Sequence, residues 1–271
     1  MRDLKPNPIV AAWESGRPAI SAWSIIPGKL SAEMLALLDF DVVTIDLQHS
    51  NFDRSDITAA ITAIQAAGSA AGVRVPWNDD PGLAMALLDF GLASITCPYV
   101  GSRAECERFV RACRYPPLGI RNSNIPRASA YRRNLGAYFD SVRRRELVIA
   151  MVESVSGLDV LDDIAATPGL DVIQLGPSDL ALSRFGLSAP ADEAAAYIEE
   201  AHRKTVAVAR RHGIRAAANA TNPARARHLI GLGYDLIYLG CDLFDMEDHY
   251  RNVLGDLGDV LGRKPADAEA T

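Results

Sequence analysis

Cysteine is sparse in this sequence, and its spacing argues against a disulfide-stabilised secreted domain. The four cysteines, Cys97, Cys106, Cys113 and Cys241, form no Cys-x-x-Cys pair. Small secreted domains that rely on disulfides have a far higher cysteine density. We therefore expect buried free thiols and a cytoplasmic location, where thiols stay reduced.

Long apolar runs and an excess of positive charge are also missing. No apolar run approaches the roughly 18 residues needed to span a bilayer, and the first residues contain no apolar signal segment. The formal net charge is -6, whereas a nucleic-acid surface needs clustered Lys and Arg. We expect a soluble protein with no membrane or nucleic-acid partner. The basic run from Arg143 to Arg145 is interpreted as a solvated helix face.

Apolar residues are abundant, because 49% of the 271 residues are hydrophobic, which is enough for a large core. Short β-branched or apolar runs alternate with longer helical patterns, as in βα units around a parallel sheet. The pattern predicts an α/β fold, a single-domain (β/α)8 TIM barrel over residues 1–271 with its core at about 19–262. The eight predicted strands are Ala19–Ser24, Val42–Asp46, Gly72–Val75, Ser94–Pro98, Leu147–Val152, Asp171–Leu175, Arg215–Asn219 and Leu236–Gly240.

Local signals refine this organisation. Asp80-Pro81 and Asn222-Pro223 each place a capping side chain before a proline, which predicts two helix starts. The stretch from Tyr115 to Arg145, between units four and five, is longer than an ordinary barrel loop. It is predicted to be an inserted active-site or subunit-contact segment. Residues 263–271 are predicted to form a flexible tail.

Polar residues that follow the strands are the candidates for chemistry, because barrel active sites lie at the carboxyl ends of the strands. Glu153 directly follows strand five and Asp179 follows strand six, which is its neighbour. Their carboxylates are expected to share a hard divalent cation, Mg²⁺ or Mn²⁺, with positions left for a 2-oxo acid. The alternative makes Asp179 a helix cap and Glu153 a structural ion-pair partner.

Arg74 and His49 are predicted at the same end of the barrel as these two carboxylates. Arg74 lies near the end of strand three and would face the oxyanion of an enolate. His49 follows strand two and is the only one of five histidines at a strand end, where it would move protons near pH 7. The alternatives are a structural ion pair for Arg74 and a capping or core role for His49. No histidine beside Cys97 or Cys241 supports a thiol nucleophile.

Two absences narrow the chemistry. The lysines, which lie near the ends, in the first loop and in mid-helix, are Lys5, Lys29, Lys204 and Lys264. A Schiff base inside the barrel is therefore not expected. The seventh and eighth loops, Asn219–Asn222 and Gly240–Asp242, lack the paired glycines of a phosphate cradle. The sequence favours a substrate without a phosphate group.

Together these motifs resemble the HpcH/HpaI aldolase family, the class II pyruvate aldolases that include 4-hydroxy-2-oxoheptanedioate and 2-keto-3-deoxy-sugar-acid aldolases. The resemblance extends from about Ala19 to Asp242. The matching segments, in the family's order, are Phe40–His49, Val73–Asp79, Leu87–Gly91, Arg114–Arg121, Glu153 and Gly176–Leu180. The resemblance implies a lyase that cleaves or forms 4-hydroxy-2-oxo acids from pyruvate and an aldehyde through a metal-stabilised enolate.

The resemblance also implies roles for individual residues. Glu153 and Asp179 would hold Mg²⁺, Mn²⁺ or Co²⁺, which pyruvate or another 2-oxo acid chelates. The substrate carboxylate would meet backbone amides near Ser178 and Asp179, in the loop that starts with Gly176 and Pro177. Arg74 would contact the enolate oxygen, and His49 would be the acid–base group.

The resemblance implies roles for two further residues, Trp23 and Asp89. Trp23 matches a tryptophan near the family's pocket, although a core tryptophan is an equal alternative. Asp89 would assist His49 in catalysis, but its predicted place is the far end of its own barrel. It would act only across a subunit interface, which agrees with the trimers and hexamers of the family. A homo-oligomer is therefore expected.

Two departures from the family pattern are expected to change the pocket. The family usually has Glu before the histidine and Gln two positions before the metal-binding Glu, whereas this chain has Gln48 and Met151. Losing polar groups beside metal ligands alters their orientation and the polarity around them. Two alternatives stay open: a related metal-enolate enzyme with another carbon–carbon reaction, and a barrel that only binds a 2-oxo acid.

Overall fold

The computed structural model describes residues 6–123, 125–131, 135–188 and 190–261, so the predicted tail at 263–271 lies outside the described residues. Eight parallel strands close into one barrel, each paired with its neighbours in chain order. The single-domain TIM barrel is therefore confirmed. The strands are β1 (Ala19–Ser24), β2 (Val42–Asp46), β3 (Ala71–Arg74), β4 (Ser94–Cys97), β5 (Leu147–Val152), β6 (Val172–Leu175), β7 (Arg215–Ala220) and β8 (Leu236–Cys241).

Helices precede β1 and follow every strand, as the alternating pattern predicts. They are α1 (Pro8–Glu14), α2 (Lys29–Ala36), α3 (Arg54–Ala66), α4 (Pro81–Leu88), α5 (Arg103–Cys113), α6 (Leu135–Arg145), α7 (Val155–Asp159), α8 (Leu161–Ala165), α9 (Pro177–Phe185), α10 (Ala191–His212), α11 (Pro223–Leu232), α12 (Asp242–Asp256) and α13 (Gly258–Leu261). The two predicted helix starts are confirmed. Asp80 accepts a hydrogen bond from the amide of Leu83 (2.8 Å), and Asn222 accepts one from Arg225 (2.9 Å).

The strand boundaries differ from the predicted ones by one residue at several ends. β3 begins at Ala71 and ends at Arg74, one residue earlier at each end than predicted, and β7 and β8 each extend one residue further. The cause is the hydrogen-bonded ladder, since Ala71 is already paired with Val43 of β2. Apolar composition does not mark where such pairing starts.

Register between neighbouring strands places the candidate site. Asp46 and Arg74 are partners across β2 and β3, and Val152 and Leu175 are partners across β5 and β6. The amide of Gly176 continues the second ladder by donating to the carbonyl of Val152 (3.0 Å). Residues that follow β5 and β6 therefore lie side by side at the mouth of the barrel.

The segment from Tyr115 to Arg145 packs at the opposite, amino-terminal end. The amide of Ala128 donates to the carbonyl of Asp89 (3.1 Å), and Arg121 forms ion pairs with Glu146 and with Asp89 (3.2 Å for the latter). None of its described residues lines the cavity at the barrel mouth. A direct active-site role within one chain is therefore wrong for the described part, and the subunit-contact alternative stays a prediction.

The prediction of buried free thiols is confirmed. Cys97, Cys106, Cys113 and Cys241 are all buried and free. Among the described residues, every helix is too short or too polar to pass through a bilayer.

Candidate active site

A cavity of about 430 Å³ opens where the carboxyl ends of the strands meet. This is the end of a TIM barrel where active sites are found. Eight of the nine site residues predicted from the sequence line this one cavity: Trp23, His49, Arg74, Glu153, Gly176, Pro177, Ser178 and Asp179. The ninth, Asp89, does not.

Glu153 is held at the bottom of the cavity by the turn after β4. Its side chain is buried, and Oε1 accepts the backbone N–H of Tyr99 over 2.7 Å. Tyr99 has a φ of 53°, in the left-handed region, and its carbonyl accepts a hydrogen bond from Nδ2 of Asn78 (3.0 Å). This contact leaves the other carboxylate oxygen of Glu153 to face the strand β6 side.

Gly176 permits the close approach of that second oxygen. A Cβ atom at position 176 would lie 2.7 Å from the Cβ of Glu153 and closer still to its Oε2. Any side chain there would push Glu153 away from the turn between β6 and α9. Glycine at the first position after β6 is thus a steric requirement of the site.

Burial raises the pKa of Glu153 to about 7. The N–H of Tyr99 opposes this change by stabilising the carboxylate, and the negative charge of Asp179 reinforces it. Asp179 lies in the first turn of α9 and is half-buried. Two acidic groups therefore line the same cavity and repel each other.

These two carboxylates fit a divalent cation. Oxygen ligands suit hard ions such as Mg²⁺ and Mn²⁺. A bound cation would offset the free-energy cost of burying the Glu153 carboxylate and would reduce its repulsion by Asp179. Among the described residues, no cluster of three or more His, Cys, Asp or Glu side chains forms a complete metal site. The remaining positions around an ion would then fall to water and substrate oxygens.

Arg74 forms a buried ion pair and also faces the cavity. Nε and Nη2 donate to the two carboxylate oxygens of Asp46 over 2.8 and 2.6 Å. Nη1 lies 3.7 Å from the sulfur of Met151, and the guanidinium stacks over Trp23 at 4.6 Å from the ring centroid. The structural ion pair that was an alternative is present, and it holds the cation in place at the cavity wall.

His49 lies in the loop after β2, exposed at the cavity mouth. The helix that follows is capped by Asp53, whose side chain accepts the amide of Asp56 over 2.7 Å. Both alternatives for His49, a helix cap and a core residue, are therefore wrong. An exposed imidazole at the rim can exchange protons with solvent and with a bound molecule.

Trp23 is buried and lines the cavity, so it belongs to the core and to the pocket at once. Its ring stacks on Tyr238 at a centroid distance of 4.5 Å. Its indole N–H donates to Oδ1 of Asn219 over 3.2 Å. The stack fixes one wall of the cavity.

Asp89 lies at the amino-terminal end of the barrel, as its predicted helix position required. It follows α4 immediately and pairs with Arg121 over 3.2 Å. Burial raises the pKa of Asp89, and the bond to Arg121 opposes that change. It does not reach the cavity of its own chain, and a role across a subunit interface stays a prediction.

The sequence-based prediction missed three residues at or next to the cavity, which are Asp46, Gln174 and Asn219. Asp46 was treated only as a strand end, although an acidic residue in register with Arg74 was the available signal. Gln174, fully buried in the barrel, is the register partner of Met151 and donates to Asn219 over 3.2 Å. The polar group absent at Met151 thus has a counterpart on the adjacent strand.

Comparison with known proteins identifies the family of this chain. The profile of the family described as HpcH/HpaI aldolase/citrate lyase matches residues 23–248. A hydroxypyruvate/pyruvate aldolase of Rhizorhabdus wittichii is 33% identical over 250 residues, which are 92% of this chain and 98% of that protein. A 5-keto-4-deoxy-D-glucarate aldolase of Shigella dysenteriae is 32% identical over 243 residues, which are 89% of this chain and 93% of that protein.

A solved structure extends the likeness to the whole fold. The crystal structure of an HpcH/HpaI aldolase/citrate lyase family protein from Burkholderia cenocepacia matches with a TM-score of 0.80 and 29% identity, and covers 93% of this chain and 99% of that one. The family and its named members indicate an enzyme of the aldolase or lyase type. This chain belongs to the HpcH/HpaI aldolase/citrate lyase family.

Proposed function

We propose that this chain is a divalent-metal-dependent aldolase that cleaves or forms 4-hydroxy-2-oxo acids, with pyruvate and an aldehyde as the partners. The observation that carries the proposal is that Glu153, Asp179 and the positively charged side chain of Arg74 line one cavity. The name of the Rhizorhabdus wittichii relative, a hydroxypyruvate/pyruvate aldolase, supports the same substrate class.

Glu153 and Asp179 would hold the ion, Mg²⁺ or Mn²⁺ with Co²⁺ as a further candidate. When bound, such an ion would withdraw charge from the 2-oxo group and so make the bond between C3 and C4, one carbon away from that group, easier to break or form. The substrate carboxylate would lie near the amides of Ser178 and Asp179, because the first turn of a helix offers unpaired N–H groups to an anion.

Arg74 would stabilise the negative charge that develops on the 2-oxo oxygen. Its bidentate bond to Asp46 removes rotational freedom in advance, so no reorientation is needed during the reaction. His49 would take the proton from the 4-hydroxyl group in cleavage and return it in condensation, with Asp89 of another subunit as its helper.

Metal removal and re-addition test the proposal. After chelation, pyruvate release from a panel of 4-hydroxy-2-oxo acids should vanish and should return with Mn²⁺ or Mg²⁺. Glu153→Ala should abolish release at every metal concentration, whereas Glu33→Ala, on the exposed face of α2, should not change it. Release that survives exhaustive chelation or Glu153→Ala would contradict the proposal.

Two alternatives make different predictions. A barrel that only binds a 2-oxo acid would not exchange the methyl protons of pyruvate with D₂O, whereas the proposed enzyme should do so when a divalent metal is present. A related enzyme with another carbon–carbon reaction would show this exchange without cleaving the panel. Both alternatives need testing because the chain differs from the family pattern near two site residues. Met151 is apolar and lies near Glu153, and Gln48 carries an amide beside His49.

A further inference from the structure

Asn219 is the last residue but one of β7 and lines the cavity, and two donors reach one atom of its side chain. The indole N–H of Trp23 and Nε2 of Gln174 each donate to Oδ1 over 3.2 Å. An indole nitrogen donates and never accepts. The amide atom that faces Trp23 must therefore be the oxygen, and the orientation of the Asn219 amide is fixed.

The fixed orientation leaves the nitrogen of this amide facing the cavity. In the described part of the chain Nδ2 makes no hydrogen bond and is not fully buried. The residue itself is half-buried and lines the cavity. A pair of N–H donors is thus presented to whatever molecule enters.

The surroundings indicate which acceptor these donors suit. The same cavity is lined by the apolar side chains of Ile25 and Phe244 and by the carboxylates of Asp245 and Asp248. Among the described residues, Arg74 is the one lysine or arginine that lines the cavity, and it is already paired with Asp46. A neutral donor on a wall with two acidic groups favours an uncharged oxygen and disfavours an anionic tail.

We infer that Asn219 determines substrate specificity by donating a hydrogen bond to a hydroxyl oxygen of the substrate. The substrate class is then a hydroxylated 2-oxo acid or a hydroxylated aldehyde with an uncharged tail, in preference to the deoxy compound of the same length. This inference rests on the proposed aldolase function, because it assumes that a 2-oxo acid occupies the cavity.

Two substrate pairs that differ by one hydroxyl group test the inference. Hydroxypyruvate is compared with pyruvate against one common aldehyde, and glycolaldehyde is compared with acetaldehyde against one common 2-oxo acid. In at least one pair, kcat/KM should be about tenfold higher for the hydroxylated member, the size expected for one hydrogen bond in a water-poor site. Asn219→Leu, similar in shape but without a donor, should bring the two values together by slowing the hydroxylated member.

The control is Asn51→Leu, the same chemical change at an exposed position outside the cavity, which should keep the preference. Asn219→Ala removes the donor without added volume and replaces the leucine variant should that one not fold. Equal kcat/KM values in both pairs for the unaltered enzyme, or a preference that survives in the folded Asn219 variants, would overturn the inference while the aldolase proposal stands.

A binding measurement separates this failure from failure of the proposed function. If no pair is turned over with any divalent metal, the aldolase proposal fails. Calorimetry in the presence of Mg²⁺ then decides the inference alone. Tighter binding of hydroxypyruvate than of pyruvate, or of glycolaldehyde than of acetaldehyde, lost in Asn219→Leu, supports it, and equal affinities within both pairs overturn it.

Discussion

At the scale of single residues, the site depends on a pair in which a buried residue orients a residue that lines the cavity. Asp46 is fully buried and makes two hydrogen bonds to Arg74, which itself lines the cavity. A bidentate pair of this kind holds the planar guanidinium in one orientation. Asp46 therefore acts on the substrate only through Arg74.

Removing Asp46 should cost stability as well as activity. Asp46→Ala leaves the charge of Arg74 buried without a partner, so the free energy of unfolding in urea should fall by about 3 kcal/mol. The double variant with Arg74→Met, which removes that charge, should recover part of the loss. The exposed pair Arg103–Glu107 on α5 is the control, and Glu107→Ala should leave the free energy of unfolding nearly unchanged. An Asp46→Ala protein as stable as the unaltered one would show that the pair is not needed for folding.

Gly176 offers a second test at this scale. Gly176→Ala places a methyl group against Glu153, so Mn²⁺ affinity measured by calorimetry should fall by about 10- to 100-fold. Gly231→Ala, where a Cβ meets no atom within 4 Å in helix α11, is the matched control. It should leave Mn²⁺ affinity unchanged and slightly raise stability. Equal Mn²⁺ affinity in both variants would argue against Glu153 as a ligand.

At the scale of elements, the turn after β4 decides where the residue after β5 points. Tyr99 adopts a left-handed backbone conformation, and Asn78, from the loop after β3, holds its carbonyl. The ring of Tyr99 also stacks on Trp77 at a centroid distance of 5.4 Å. Two consecutive βα turns, those after β3 and β4, therefore cooperate to present one N–H to Glu153, which follows β5.

Asn78→Ala should release this turn without unfolding the barrel. The left-handed conformation of Tyr99 is unfavourable for a non-glycine residue, so loss of its support should let the turn relax and remove the N–H from Glu153. Metal-dependent kcat/KM should fall by about tenfold, with the melting temperature lowered by only a few degrees. Asn51→Ala is the control at an exposed loop position. Unchanged kcat/KM in Asn78→Ala would mean that the turn keeps its shape without the side chain.

At the scale of the whole molecule, two features bear on how copies of the chain assemble. Asp89 lies at the end of the barrel remote from the cavity, and α12 carries a row of exposed apolar side chains. These are Leu243, Phe244, Met246, Tyr250, Val253 and Leu254. An apolar helix face of this size is typical of a protein interface. Both features agree with the prediction of a homo-oligomer.

Sedimentation should therefore show a trimer or a hexamer. The double variant Val253→Glu with Leu254→Glu should shift the protein toward monomers, because it buries charge in the predicted interface. If Asp89 acts across that interface, the monomeric variant and Asp89→Ala should lose kcat to a similar extent. Leu187→Glu, at a position that is 96% exposed, should leave the assembly intact. A fully active monomer would contradict the predicted role of Asp89.

Much of the fold and most of the site could be predicted because both depend on short-range sequence patterns. Strand–helix alternation fixes the barrel, and a barrel brings residues after successive strands to one mouth whatever the loops do. That is why Glu153, Asp179, Arg74 and His49 were found together. One-residue errors at the ends of β3 arose because pairing between strands, absent from a single run of residues, sets the boundary.

The sequence by itself determined the barrel, the side of it that carries the polar residues and the distant place of Asp89. Only the tertiary structure decided which atoms those residues offer. The partner of Arg74, the turn that holds Glu153 and the fixed amide of Asn219 all come from contacts between residues 21 to 196 positions apart, as between Asn78 and Tyr99 or Trp23 and Asn219. Side-chain orientation follows from packing in three dimensions, so it cannot be inferred from the periodicity of residues along the chain.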